Sequence, residues 1–308
     1  MAYRLKHKDS SVGDAVRRIA DEQIGKALAS IEGTDRAGAV HDVRKRCKKL
    51  RGLIRLVRPA FGGYKDENAA FREIAGMISG ARDAKVMQDT YDLLMEDYAG
   101  QVDRSSLGPI RRRFTMDRKE RIKDGGVEDH LAEARTRLVE ARERARGWKL
   151  DEDGWDAVAG GLEKTYGRAL TASENARKCP DGETFHELRK RVKYHWYHCR
   201  LLENLWPDMM ATENLWPDMM ATRKAAAKQL SDILGDHHDL EMFAQTLGGQ
   251  PDAFGSSADV EVAIGLARAR QERLEEQAWP ILDRMLAQEP EVLGEHFEAL
   301  WTVWRKHG

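Results

Sequence analysis

A histidine followed by an acid, an apolar residue and Arg-Lys-Arg occurs twice in this chain. It stands at His41-Asp42-Val43-Arg44-Lys45-Arg46 and again at His186-Glu187-Leu188-Arg189-Lys190-Arg191. Each copy goes on to a further Lys, at Lys48 and Lys193, and each has an Arg at the same later position, Arg55 and Arg200; Arg51 adds another cation to the first. Guanidinium groups grip phosphate oxygens two at a time, ammonium groups act as point charges, and an imidazole supplies a donor whose charge depends on pH near neutrality. Side chains one helical turn apart lie about 5–6 Å from each other, so such a row suits an anion whose charge also repeats along its length. Nucleic acid and inorganic polyphosphate both meet that description on charge alone.

The row exists only if the segment is helical. At about 100° per residue from His41, Lys45 falls near 40°, Lys48 near 340°, Arg55 near 320°, Arg44 near 300° and Arg51 near 280°. Val43, Leu50, Leu53, Ile54 and Val57 gather between about 120° and 220°, which predicts one buried face with a cationic face opposite. The second copy places His186, Arg189, Lys190, Lys193 and Arg200 at matching angles, with Trp196 and Tyr197 beside them. Arg46 and Arg191 fall near about 140°, where their stems can rim the packed face. Nucleic-acid readers usually add several stacking aromatics, or Asn and Gln facing the bases. Trp196 and Tyr197 in a single copy are a thin supply of either.

The elements that must hold these rows form an all-α protein. Only 8 of the 308 residues are proline, and helical periodicity runs through the chain without a convincing alternating strand. The spacing predicts helices over 12–31, 37–58, 67–80, 83–98, 107–146, 154–176, 183–205, 222–235, 238–248, 258–287 and 291–305. The duplication extends past the two motifs. Asp14-Ala15-Val16 and Gly25-Lys26-Ala27-Leu28 match Asp156-Ala157-Val158 and Gly167-Arg168-Ala169-Leu170, while Arg72 and Asp83 stand opposite Lys228 and Asp239. Two repeats are therefore expected, over 1–148 and 149–308. The register shifts where Glu203 to Thr212 is followed by an identical copy, Glu213 to Thr222, a lengthened Pro-containing turn of the kind that tolerates insertion.

Net charge is −1, yet the charges are segregated. His41 to Arg58 carries eight Lys/Arg against one acid, whereas Asp252 to Gly308 carries eleven acids against six bases. A field divided in this way can hold an anion on a nearly neutral molecule. The 3 cysteines, Cys47, Cys179 and Cys199, form no CxxC pair and suit a reducing compartment. The N-terminus lacks a signal-peptide core and no run reaches the roughly 18 apolar residues of a membrane span, so a cytoplasmic location is expected.

At the two His-centred motifs the chain resembles the CHAD family, the conserved-histidine α-helical domain. Leu234-Gly235-Asp236-His237-His238-Asp239 matches the family's later motif well, and Ile78-Ser79-Gly80-Ala81-Arg82-Asp83 matches it loosely. The resemblance spans residues 10 to 300 or so. It implies two pseudo-symmetric four-helix bundles that bind inorganic polyphosphate without catalysis; a place on polyphosphate granules is a further expectation, and no cofactor, metal or membrane partner is expected. Carried onto this sequence, it implies contacts from His41, Arg44, Lys45, Lys48, Arg51, Arg55, His186, Arg189, Lys190, Lys193 and Arg200, with Arg72, Arg82 and Lys228 as further candidates. The halves are unequal, since Tyr194 and Trp196 stand where the first copy has Lys49 and Arg51. The Glu-x-Glu-x-Lys signature of the triphosphate-processing domain to which some CHAD domains are fused is absent from this sequence.

Other constellations are weaker. His237 and His238 diverge by about 100° on a helix and read as a structural turn. His195 and His198 share a face and could bind a transition metal with a third ligand. Asp83 and Asp239 could serve a Mg²⁺-dependent phosphohydrolase, although carboxylates at such places more often pair with Arg or cap a helix. No P-loop, GxSxG, HExxH or GxGxxG motif is present.

Overall fold

The segment carrying the first His motif begins at a cap and ends at a proline. Asp35 accepts a hydrogen bond from the Gly38 amide at 2.9 Å, starting α2 (Arg36–Leu56), and Pro59 follows shortly after its last turn. The second motif starts in the same way. Asp181 and Thr184 form a reciprocal capping box at the head of α8 (Gly182–Leu201). The apolar face expected on α2 is present, with Val43, Leu50, Leu53, Ile54 and Val57 all at 0% exposure.

The computed structural model describes residues 3–78, 80–123, 126–205 and 219–307, with 80–84 and 121–123 as backbone only. Among these residues it contains eleven α-helices and no strand. Around α2 pack α1 (Val12–Glu32), α3 (Tyr64–Met77) and α6 (Gly126–Arg146). Around α8 pack α7 (Asp156–Lys178) and α9 (Met219–Gly249), with α10 (Ser257–Met285) on α9 and α11 (Pro290–His307) on α7. The pair α4 (Gly80–Asp97) and α5 (Gly108–Lys123) packs together, and α4 also leans on α9. One apolar core runs through all of these elements.

Two boundaries differ from the periodicity. The expected single helix over 107–146 is described as α5 and α6, and residues 124–125 between them lie outside the described residues. The two helices expected over 222–235 and 238–248 are one, because Leu234, His237, Leu240 and Glu241 keep a helical spacing that buries all four. His237 and His238 therefore lie inside α9 and form no turn. The interior of the ten-residue duplication, 206–218, is outside the described residues. Trp301 and Trp304 are buried against each other and Trp155, so the tryptophan-rich C-terminus is core.

The junction between α2 and the second set of helices is made by two glycines. A Cβ at Gly52 would lie 2.9 Å from Cβ of Tyr197 on α8, and a Cβ at Gly161 of α7 would collide with the main-chain carbonyl of Leu56. The imidazole of His198 meets the Gly52 carbonyl at 3.2 Å in the same crossing. Helices approach this closely only where a side chain is missing, and backbone cannot give way as a flexible side chain can. Gly161→Ala should therefore lower unfolding stability by about 2–3 kcal/mol through overpacking. Gly25→Ala, on α1 with its nearest neighbour 3.9 Å away, should be neutral or stabilising by up to about 1 kcal/mol. Urea unfolding midpoints of the two variants check the contrast.

Candidate functional site: two basic helices and the side chains that hold them

On α2, His41 and Lys45 are exposed and Arg44, Lys48 and Arg51 are half-buried. Asp42 is shared between Lys45 at 3.3 Å and Arg46 at 3.0 Å, and Arg46 also donates to Gln23 at 3.0 Å. The α8 copy repeats this device, with Glu187 in close ion pairs to Lys190 and Arg191. The one acid in each motif is thus committed to two of its own cations. Burial acts against the ionised form of both carboxylates, and those cations outweigh it, holding each pKa below its ordinary value.

The remaining cations are held by groups of other kinds. Arg44 donates to the Ala75 carbonyl of α3 at 3.0 Å. Asn68 of α3 accepts from Arg51 at 3.1 Å and from Arg55 at 2.6 Å. The Arg55 guanidinium lies 4.0 Å from the ring centre of Tyr194 on α8 and is buried. Arg55 is thus part of the seam between α2 and α8 and not of the open face that periodicity alone gave it, because Tyr194 covers it. Tyr197, expected beside the cations, is buried on Gly52, while Trp196 stays half-buried. Three cations surround Trp196: Lys193 at 4.2 Å, Arg200 at 5.1 Å and Lys228 of α9 at 5.9 Å. Lys193 also donates to Ser231 at 2.9 Å, Arg200 lies 5.3 Å from Tyr3, and Lys228 pairs with Asp232.

His186 meets His238 of α9 with their Nδ1 atoms 3.2 Å apart, a contact that requires one ring to donate and the other to accept. Burial and the neighbouring Lys190 and Arg189 lower the His186 pKa, and burial with Arg189 brings His238 down to about 4. Burial also lowers Lys193 to about 8 and Lys49 to about 7, in the latter case with Arg200 and Arg46 adding to the effect.

Of the other residues singled out in the sequence, Arg72 is exposed on α3, and the side chains of Arg82 and Asp83 lie outside the described residues. Asp239 sits half-buried on α9. His195 and His198 are both at 0% exposure and are used internally. His195 contacts Arg223 at 3.3 Å and Cys199 at 3.5 Å, while His198 holds Gly52. Among the described residues no three His, Cys, Asp or Glu side chains are grouped so as to hold a metal ion, and no helix is long and apolar enough to cross a membrane. The sequence reading passed over Tyr3 and Asn68, named Lys49 and Tyr194 only as a difference between the copies, and took His238 for part of a turn. Only the exchange of Lys49 for Tyr194 between the copies signalled that the seam would be unequal.

Four of these histidines are held neutral. Burial lowers His198 to about 3 and His195 well below its ordinary value, alongside His186 and His238. Above the unfolded pKa of about 6.5 neither state carries the proton; below it the unfolded chain takes up protons that the folded one refuses, and stability falls until the folded pKa is reached. Asp42 and Glu187, whose folded pKa values are depressed, withdraw their stabilisation only below about pH 4.5. The urea midpoint should therefore decline between about pH 6.5 and 5. His198→Gln, which keeps a donor for Gly52, should flatten that decline; an unchanged slope would contradict the assignment.

The CHAD domain profile matches residues 18–248. Two uncharacterized proteins, from two strains of Mycobacterium tuberculosis, are each 26% identical over 291 residues, covering 89% of this chain and 52% of the relative. The chain thus spans about half the length of the curated relatives it matches. The matched region contains both His-centred helices together with Asn68, Tyr194 and His238, and the chain belongs to the CHAD family.

Proposed function

We propose that this protein binds inorganic polyphosphate, free or on the surface of granules, along α2 and α8 and without transforming it. Family membership supports the ligand class. The observation that carries the reading is how the inner cations are held. Arg51, Arg55, Lys193 and Arg200 contact an amide, a hydroxyl and aromatic rings, and none of the four is in an ion pair with a carboxylate among the described residues. These contacts fix the direction of each side chain and leave the charges of Arg51, Arg55 and Arg200 uncancelled for an outside anion, while Lys193 also feels Asp232. Stacking platforms for bases are largely consumed within the fold, since Tyr194 faces Arg55 and Tyr197 faces Gly52, which favours a polymer without bases over nucleic acid.

Many modest contacts to one repeating anion release counterions together, so affinity should fall steeply with salt. The same multivalency favours long chains over orthophosphate, which cannot reach several contacts at once. Arg51→Gln combined with Arg200→Gln, one uncancelled cation from each helix, should weaken binding more than either change alone and reduce the log–log salt slope by roughly one to two. Fluorescence polarisation with labelled long-chain polyphosphate, challenged by duplex DNA and RNA, measures this. Full affinity in a folded double variant, or equal competition by nucleic acid per charge, would overturn the reading. Release of phosphate from polyphosphate would replace it with a hydrolase.

A further inference from the structure

The cationic row on α2 does not stop at Arg55. Arg58 continues it by three residues, just past the last helical turn, and Arg168 of α7 lies close enough to depress its ionisation. Arg168 stands seven residues after Gly161 and so shares the α7 face that presses on the end of α2. Tyr64, at the start of α3, lies beside Arg58 and 6.0 Å from the Arg55 guanidinium. Among the described residues Arg51, Arg55, Arg58 and Arg168 form no ion pair with a carboxylate, while Arg51 and Arg168 each act on a neighbouring guanidinium of the group.

A second observation points outward from this corner. Nε and Nη2 of Arg58 and Nε of Arg55 are buried without a hydrogen-bond partner, and Arg55 as a whole is 8% exposed. Buried donors of this kind cost about 1–3 kcal/mol each unless something accepts from them. Favourable placement at the negative end of α2 accounts for one cation in the last turn. It does not account for Arg168, which comes from another helix, or for the donors left unused.

We propose that Arg51, Arg55, Arg58 and Arg168, with Tyr64, form a subsite for a terminal phosphate group, closing the α2 track at one end and giving the bound chain a direction. This rests on the polyphosphate reading above and adds to it which part of the polymer is recognised. An internal phosphate of such a chain bears one charge, whereas a terminal one bears a second ionisation near about pH 6 and presents three non-bridging oxygens. Forked guanidinium groups, charged at every relevant pH, match that group best. Burial and the adjacent Arg168 bring the Arg58 pKa down to about 10, and the opposite charge of an incoming dianion offsets both.

The test compares a short linear polyphosphate with the same chain capped at both ends by neutral esters, using full-length protein. Wild type should bind the linear chain roughly tenfold more tightly, the worth of one charge-assisted contact. The ³¹P resonances of its end groups should shift more than those of its internal groups. Arg58→Ala with Arg168→Ala should erase the preference, lowering the affinity for the linear chain roughly tenfold more than that for the capped one. Equal binding of both chains by wild type, or equal loss for both in the variant, would make these arginines an ordinary continuation of the row and overturn the proposal. Because the wild-type comparison and the ³¹P shifts need no substitution, a variant that failed to fold would not shield it. Binding of neither chain would instead overturn the polyphosphate reading, and this subsite with it.

Discussion

Everything in this fold turns on bringing two like-charged helices together. α2 and α8 each carry a dense set of cations, and they meet at Gly52 and Tyr197 with a backbone approach that a single methyl group would block. Close pairs of like charges on a helix cost a few tenths of a kcal/mol each. The opposing term is larger. Each fully buried aliphatic side chain on the other face of α2 contributes about 1.5–3 kcal/mol, and Val43, Leu50, Leu53, Ile54 and Val57 are all at 0% exposure. The apolar face decides where the helix sits, and the cations accept the position it imposes.

The contacts around those cations show how the repulsion is managed without being removed. One acid per motif neutralises the outer Lys and Arg, Lys45 with Arg46 and Lys190 with Arg191. Further along, the fold uses π faces and neutral oxygens. A ring attracts a cation through its quadrupole and leaves the net charge where it was. The distinction separates cations spent on the fold from cations kept in reserve, and it follows from the kind of partner, not from exposure. Arg55 is buried and yet uncancelled; Lys45 is exposed and paired.

How far the sequence foretold this depends on the length scale. Periodicity placed α2 and α8 well, because their apolar and charged faces are cleanly divided and each begins at an Asp cap. It failed at His237 and His238, where adjacent histidines look like punctuation although their apolar neighbours keep the helical spacing through them. At the site, the angular reading gave the faces of single helices but not what another helix lays over them. Tyr194 over Arg55, Asn68 beneath Arg51 and His238 against His186 are products of packing between elements distant in sequence. Such pairings leave a trace in one sequence only when a repeat departs from itself, as where Tyr194 stands in place of Lys49.

That departure has a chemical consequence. Tyr194 gives Arg55 a ring to rest on, whereas the matching Lys49 is buried over Tyr3 near Arg200, and its pKa falls to about 7 under the cost of burial and that neighbour. The folded chain therefore holds this proton less firmly than it holds that of an exposed lysine. In the proposed complex a polyanion lying nearby raises its basicity, so that ligation draws hydrogen ions out of solution. The bound polymer would recruit part of its own counter-charge from the medium, and the surrounding buffer would register the event.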